Sequence, residues 1–556
     1  MKIPENDNDN NNNEPINLLL QTLLDSIPHT QNFKSKWSLI RTKLADLKSQ
    51  LSDLSSFPTN SLSLDLLSSA SSTLSAALSL SSTCQNPTLP HGKLRTQNDV
   101  DSISARLDRL IADAHVLIKS GVLHDAAAAV AVSSSKRECV RVEARNLITR
   151  LQIGTTESKN SAMDSMLGLL QEDDKNVLIA VAQGVVPVLV RLLDSSSSPE
   201  IKEKTVTAIS RVSTVDSSKH VLVAEGLLLL NNLLRIVESG SGFAKEKACI
   251  ALQSLSHLRE NARAIGSRGG ISSLLEICQA GTPSSQAVAA GVLRNLSIFP
   301  EIKENFIEEN AISILLSLSA SGTSFAQENS IGCLCNLVSD DDDQLKLFIA
   351  REGGIESLKN FWDSAPTPRS LEVAVELLRN LASCPLISEV LVSDGFVNRI
   401  VSVLNCGVLG VRISAANAVC ELGFNTKTRK ELGELGCIPP LISMLEGKAV
   451  EEKESAAKAL ASLMGYAGNR RIFRKEEKGI VSTVQLLDPS TTQNLDKKYP
   501  VSVLQSLVHS KKCRKQMIAA RPHDFLQKLV EMDVEGAKKL LESLGRSKIW
   551  GVFARS

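Results

Sequence analysis

The chain has 556 residues, more than one hydrophobic core ordinarily serves, so it divides into several domains or extends as an array. Its hydrophobic share of 43% suffices for burial. Its 3% aromatic share argues against sandwiches and barrels, whose strands favour aromatic residues, and against modules that stack bases on rings. With 62 Lys+Arg against 61 Asp+Glu, the net charge of +1 gives no global attraction for a polyanion.

Residues 1–13, MKIPENDNDNNNN, are polar and are expected to be disordered. They lack the positive start and apolar stretch of a secretory signal, and Lys2 rules out N-myristoylation. No apolar run is long enough for a transmembrane segment. A cytoplasmic or nuclear location follows as an expectation, and the eleven scattered cysteines, none in CxxC, are expected to be buried and reduced. From residue 14 to 124 the text is helical without a repeat. Helices are expected over Pro15–Ser26, Asn32–Ser55, Ser61–Ser82 and Gln97–Ser120, with apolar residues three and four apart, as in a four-helix bundle. Residues 125–141, which include AAAAVAVSSS, read as a connector.

Over 142–508 the sequence repeats with a period of about 42 residues. A small residue followed by an apolar run recurs at Gly184, Gly226, Gly269, Asn310, Gly353, Gly395, Gly436 and Gly479, in steps of 41 to 43. In phase with it runs a second pattern whose penultimate polar slot holds Arg211, Ser254, Asn295, Asn336, Asn380, Glu421, Ser462 and Ser506. Ser198-Pro199, Thr282-Pro283 and Thr367-Pro368 each put Pro twelve residues before that slot, which is the chemistry of a helix start. Each unit therefore reads as a short, a medium and a long helix, with the long one of about twelve to fifteen residues and a bend at the Gly. Such a unit cannot bury its apolar face alone, so neighbours stack into a solenoid.

G-G-I-x-x-L followed by A-x-x-x-L-x-N-L at this period resembles the armadillo repeat. HEAT repeats, the nearest alternative, lack the Gly bend and the Asn. The resemblance implies an all-α, right-handed solenoid preceded by the helical bundle. Bundle plus repeats is similar to the plant U-box armadillo proteins, and GKLRTQNDVDSISARLDRLI looks like their N-terminal domain. A U-box would stand between the two parts, and nothing in Asp125–Arg141 resembles one, so autonomous ligase activity is not expected. Plant armadillo proteins similar to the yeast vacuolar armadillo protein match better, although that family's lipidated N-terminal Gly and Cys are missing here.

The eight histidines stand singly, H-E-x-x-H and G-x-S-x-G are absent, and Cys333 and Cys335 fall on different faces of a helix. No catalytic residue, metal site or cofactor is expected, nor any small-molecule substrate or specific nucleic acid. The Asp340–Asp343 run reads as a solvated loop.

In the family, the penultimate Asn of the long helix lines a concave groove that takes an extended peptide. Asn295, Asn336 and Asn380 match it, and each amide offers a donor and an acceptor to a peptide backbone. The other reading of these residues is a helix-terminal Asn bonding local carbonyls. Glu376 and Glu421, with Glu328 and Glu372 nearby, could form an acidic strip flanked by Arg294 and Arg379. The expected function is a non-enzymatic adaptor or scaffold for protein partners. Its alternatives are a substrate-recruiting component of a ubiquitin ligase pathway and a membrane-trafficking or vacuole-related scaffold.

Residues 509–556 read as a degenerate, basic capping repeat. From Arg470 onward 18 Lys+Arg face 9 Asp+Glu, with Arg470, Arg471, Lys511, Lys512, Arg514 and Lys515 at the centre. This end reads as a solvated cap, a nuclear signal or a dock for an acidic partner.

Overall fold

A computed structural model describes residues 14–57, 60–123, 136–194, 197–365, 367–490 and 494–552. The disorder expected for residues 1–13 and most of the expected connector lie outside them. Every regular element among the described residues is helical. The chain forms two compact units, Met1–Leu255 and Ser256–Ser556.

The first unit opens with helices Glu14–Ser26, Lys34–Leu54, Ser61–Gln85 and Lys93–Lys119 around one core. Apolar periodicity sets which face is buried. Helix Lys34–Leu54 buries Trp37, Ile40, Leu44, Leu47, Leu51 and Leu54, three or four residues apart, and Trp37 is fully enclosed. Asn60 starts the third helix with a reciprocal cap: Ser63 N donates to its Oδ1 at 2.8 Å, and its own N donates to Ser63 Oγ at 2.9 Å. The fourth helix begins at Lys93, not Gln97, because Gly92 at φ 78° turns the chain there.

A correction concerns the connector: its last six residues, Lys136–Arg141, are the first turns of helix Lys136–Ile153. The stretch KRECVR is made largely of good helix formers and carries an Arg141–Glu138 ion pair at 2.8 Å. The boundary expected at residue 142 therefore falls inside a helix. Helix Thr156–Glu172 follows, and then the three-helix units.

Lys159 of that helix faces Asp113 of the bundle. Burial pushes the Asp113 carboxyl up to about 6 despite the pull of Lys159 and Arg109. Burial likewise lowers the Lys159 ammonium, against Asp113. A carboxyl raised on folding contributes stability that is lost as pH climbs from its unfolded value through about 6. Asp113→Asn should therefore raise stability at neutral pH, by about 1 kcal/mol after discounting for solvent access, and do little near pH ~4. Melting curves at the two pH values check this.

The second unit holds long helices Pro283–Leu296, Ser324–Leu337, Pro368–Ala382, Leu409–Leu422 and Val450–Leu463, of 14 or 15 residues. Lys498–Leu507 is shorter than expected, at 10. Thr282 and Thr367 accept from Ser285 N and Ser370 N at 3.2 and 3.1 Å, with Pro in the first turn; Ser198 in the first unit does the same for Ile201 N. Thr323 caps its helix without a following Pro, a start the sequence pattern did not single out.

The bends sit where expected, at positive φ, from Gly184 (85°) to Gly436 (97°), with Asn310 at 54°. Gly479 differs. It has no positive φ and begins helix Gly479–Gln485, where an added Cβ would press on the Phe473 ring at 2.9 Å. Close approach, not turning, explains that glycine.

Two polar features also hold the second unit. Asn469 is fully buried and donates from Nδ2 to Arg429 O at 2.7 Å and Leu463 O at 3.0 Å, with Gly433 against its side chain. The Asp340–Asp343 run is more than a solvated loop. Lys303 Nζ lies 3.5 Å from Asp340 and 3.3 Å from Asp342, and Asp342 caps helix Asp343–Ile349. No single helix among the described residues is long and apolar enough to cross a membrane.

Candidate interaction groove

Three consecutive long helices of the second unit, Pro283–Leu296, Ser324–Leu337 and Pro368–Ala382, hold the asparagine ladder. They frame a cavity of about 390 Å3 lined by Arg294, Asn336, Glu376, Arg379 and Asn380. Five of the seven groove residues expected from sequence meet there. Asn295 and Glu421 do not line it.

The asparagines are bonded to the preceding unit. Asn295 Nδ2 donates to Ser256 Oγ at 2.9 Å, Asn336 Nδ2 to Arg294 O and Ser297 Oγ at 3.0 Å each, and Asn380 Nδ2 to Cys335 O at 3.1 Å. Asn295 and Asn380 are 9% and 7% exposed. Asn380 Oδ1 accepts from Arg379 Nη2 at 3.0 Å. Asn336 Oδ1 accepts nothing among the described residues and belongs to a half-buried side chain on the cavity wall. The donors therefore bond local groups, while Asn336 keeps an acceptor without a partner among the described residues.

Charge in the groove is mixed, which corrects the acidic strip. Glu328 meets Arg294 and Arg369, each at 3.6 Å, and accepts from Ser370 Oγ at 2.7 Å. Glu376 pairs with Arg379 at 2.8 Å, and Glu421 lies 3.8 Å from Lys458. Glu372 has no ion pair among the described residues; its carboxylate lies over Gly410, leaving no room for a Cβ there. Gly332 acts likewise for Arg294, whose guanidinium crosses the helix where a Cβ would stand. Three residues that no sequence pattern singled out complete the wall: Arg369, directly after the capping Pro, Val373 and Ser339. The helix-start motif was the available signal for Arg369, because it fixes which residue follows on the groove face.

Cys335 lines the cavity, and Cys333 lies two residues before it on the same helix. Burial pushes both the Cys333 and Cys335 thiols up to about 12. Among the described residues no three His, Cys, Asp or Glu side chains converge as metal ligands.

At the basic end, helix Lys511–Ala519 buries Cys513 and Met517 and exposes Lys511, Lys512 and Lys515, with Arg514 half-buried. These cations crowd the helix start, where the peptide dipole disfavours them. Arg471 is exposed. Arg470 is committed internally, donating to Met464 O at 2.6 Å and Gly465 O at 3.3 Å, so it drops out of the expected patch.

Two family models match the chain: "Domain of unknown function (DUF7032)" over residues 14–122 and "Armadillo/beta-catenin-like repeat" over 173–214. Protein CELLULOSE SYNTHASE INTERACTIVE 2 of Arabidopsis thaliana is 27% identical over 126 residues, covering 23% of this chain and 6% of that protein. U-box domain-containing protein 12 of the same plant is 29% identical over 109 residues, covering 20% of this chain and 16% of that protein. The chain thus spans only a small part of either relative. Among solved structures, an engineered protein is similar with a TM-score of 0.63 at 22% identity, covering 72% of this chain and 99% of its own. A chain from work on a phosphorylation switch controlling the interaction between cadherin and beta-catenin has a TM-score of 0.63 at 16% identity, covering 86% and 95%. Both likenesses are of fold.

Proposed function

Since the chain is an armadillo-repeat protein, with no U-box between its helical N-terminal domain and its repeats, we propose that it is a non-enzymatic scaffold that binds an extended peptide in the groove. The repeats of the second unit that carry the asparagine ladder form the binding surface. The single observation that carries the reading is the cavity, where Asn336 Oδ1 and the Glu372 carboxylate, both without a partner among the described residues, stand beside Arg294 and Arg379. That set suits a segment held through backbone N–H groups and oriented by charged side chains. Selection of displayed random peptides on the full chain, followed by binding to Asn336→Ala, tests it. Loss of binding by that variant supports the groove, and a selection yielding no groove-dependent peptide removes it. The protein works in the cytoplasm and/or nucleus, a location that imaging of the tagged full chain would check.

A second reading, a substrate-recruiting partner of a separate ubiquitin ligase, is favoured by the similarity to a U-box protein. On either reading the purified chain is expected to transfer no ubiquitin with E1 and E2 alone. Chain formation in that mixture would overturn both.

The basic end offers a second contact for an acidic partner. Lys511→Glu, Lys512→Glu and Lys515→Glu together should abolish the salt-sensitive part of such binding, since exposed charges are screened over about 8 Å at physiological salt. Unchanged salt dependence would leave these lysines as solvated surface.

A further inference from the structure

A second cavity lies in the first unit, far along the chain from the asparagine ladder. It occupies about 770 Å3 between helix Lys136–Ile153 and helix Asp174–Ala182. That size is in the range of ligand clefts. Its floor is apolar, made by Val140, Leu178 and Ile179, and Leu178 remains 38% exposed. Its rim carries Lys136, Arg137 and Lys175, all exposed and without an ion pair among the described residues.

The acids near this rim are already engaged. Glu138 holds Arg141 at 2.8 Å, and Asp174 holds Arg211 at 2.5 Å. Asp173 accepts from Lys175 N at 3.1 Å to cap its helix. The floor's polar side chains are engaged too: Asn176 Nδ2 donates to Leu169 O at 3.2 Å, and Gln183 Oε1 accepts from Arg145 Nε at 3.3 Å. What the cleft leaves unsatisfied among the described residues is a strip of apolar surface and three unpaired cations, against the one carboxylate of Asp173 in its lining.

We infer that this cleft is a second docking site, for a short acidic protein segment that places Leu, Ile or Phe side chains on the floor and Asp or Glu carboxylates against Lys136, Arg137 and Lys175. Charge complementarity selects the acidic class, and the recessed floor selects a narrow segment over a flat anionic membrane surface.

Random-peptide display on the full chain tests this, with two variants as counter-screens. One carries Lys136→Glu, Arg137→Glu and Lys175→Glu; the other carries Leu178→Asp. All four residues are exposed, so the helical signal should be unchanged. The expected result is a peptide class rich in Asp or Glu next to Leu, Ile or Phe. Its binding should fall about tenfold or more in each variant, weaken with salt and survive Asn336→Ala. The inference is overturned if no such class emerges, or if every selected peptide binds both variants normally. It is equally overturned if phosphatidylserine vesicles, and no peptide, bind in a way the charge reversals abolish.

Discussion

Replacing Asn295, Asn336 and Asn380 together with alanine is expected to weaken binding of a groove-selected peptide about fivefold or more and to lower the melting temperature. The long helices that carry these residues pack roughly 8–10 Å apart, so three slots span about 20 Å, or about six residues of extended chain. Of the three, Asn336 alone lines the cavity with an acceptor that has no partner among the described residues, and one hydrogen bond lost, at about 1 kcal/mol, is about fivefold in affinity. The bonds to Ser256, Arg294 O and Cys335 O add a second effect. The variant should also melt earlier, because buried acceptors such as Cys335 O lose their donors. Binding must therefore be measured well below the melting range. The single variant Asn336→Ala removes the ligand's acceptor together with the Nδ2 bonds to Arg294 O and Ser297 Oγ, so its melting curve must be read beside its affinity. Unchanged peptide affinity alongside a lowered melting temperature would assign these asparagines to structure alone.

Gly433→Ala is expected to cost about 3–5 kcal/mol. An added Cβ would collide with the Asn469 side chain, which is fully buried and cannot swing into solvent. Overpacking alone costs about 1–3 kcal/mol, and each carbonyl that loses Asn469 adds about 1–3 more. Arg429 O and Leu463 O are those carbonyls. Denaturant unfolding of Gly433→Ala, Asn469→Ala and the double variant reads this directly. Strong coupling is expected, with the glycine change costing far less once the asparagine is gone. Additive costs would show that the two positions do not press on each other.

The repeat was legible because its signals are local. Thr367-Pro368 fixes a helix start within one turn, and Gly395 marks a bend that other residues rarely adopt. The bundle helices were legible from the spacing of Ile40, Leu44, Leu47 and Leu51. The start of helix Lys136–Ile153 was not, because no capping residue of the familiar type announces it and an alanine-rich stretch precedes it. For the site, sequence placed Asn336, Glu376 and Arg379 on one face but could not assign their hydrogen bonds, which depend on atoms about one repeat away. Arg294 read as a flank to an acidic strip. Only the space above Gly332, a property of two helices at once, shows that it crosses the groove. Gly479 misled because the same residue type serves both turning and close approach.

The ladder bonds of the second unit join residues separated by 39 (Asn295 to Ser256), 42 (Asn336 to Arg294) and 45 positions (Asn380 to Cys335). Unstacking one unit releases chain on the order of that length and leaves bonds two repeats away untouched. Under a pulling force, such a stack yields in short, similar increments instead of rupturing at a single clamp. A tethered partner would then feel a compliant spring, one that lengthens by a unit and recoils when the load falls.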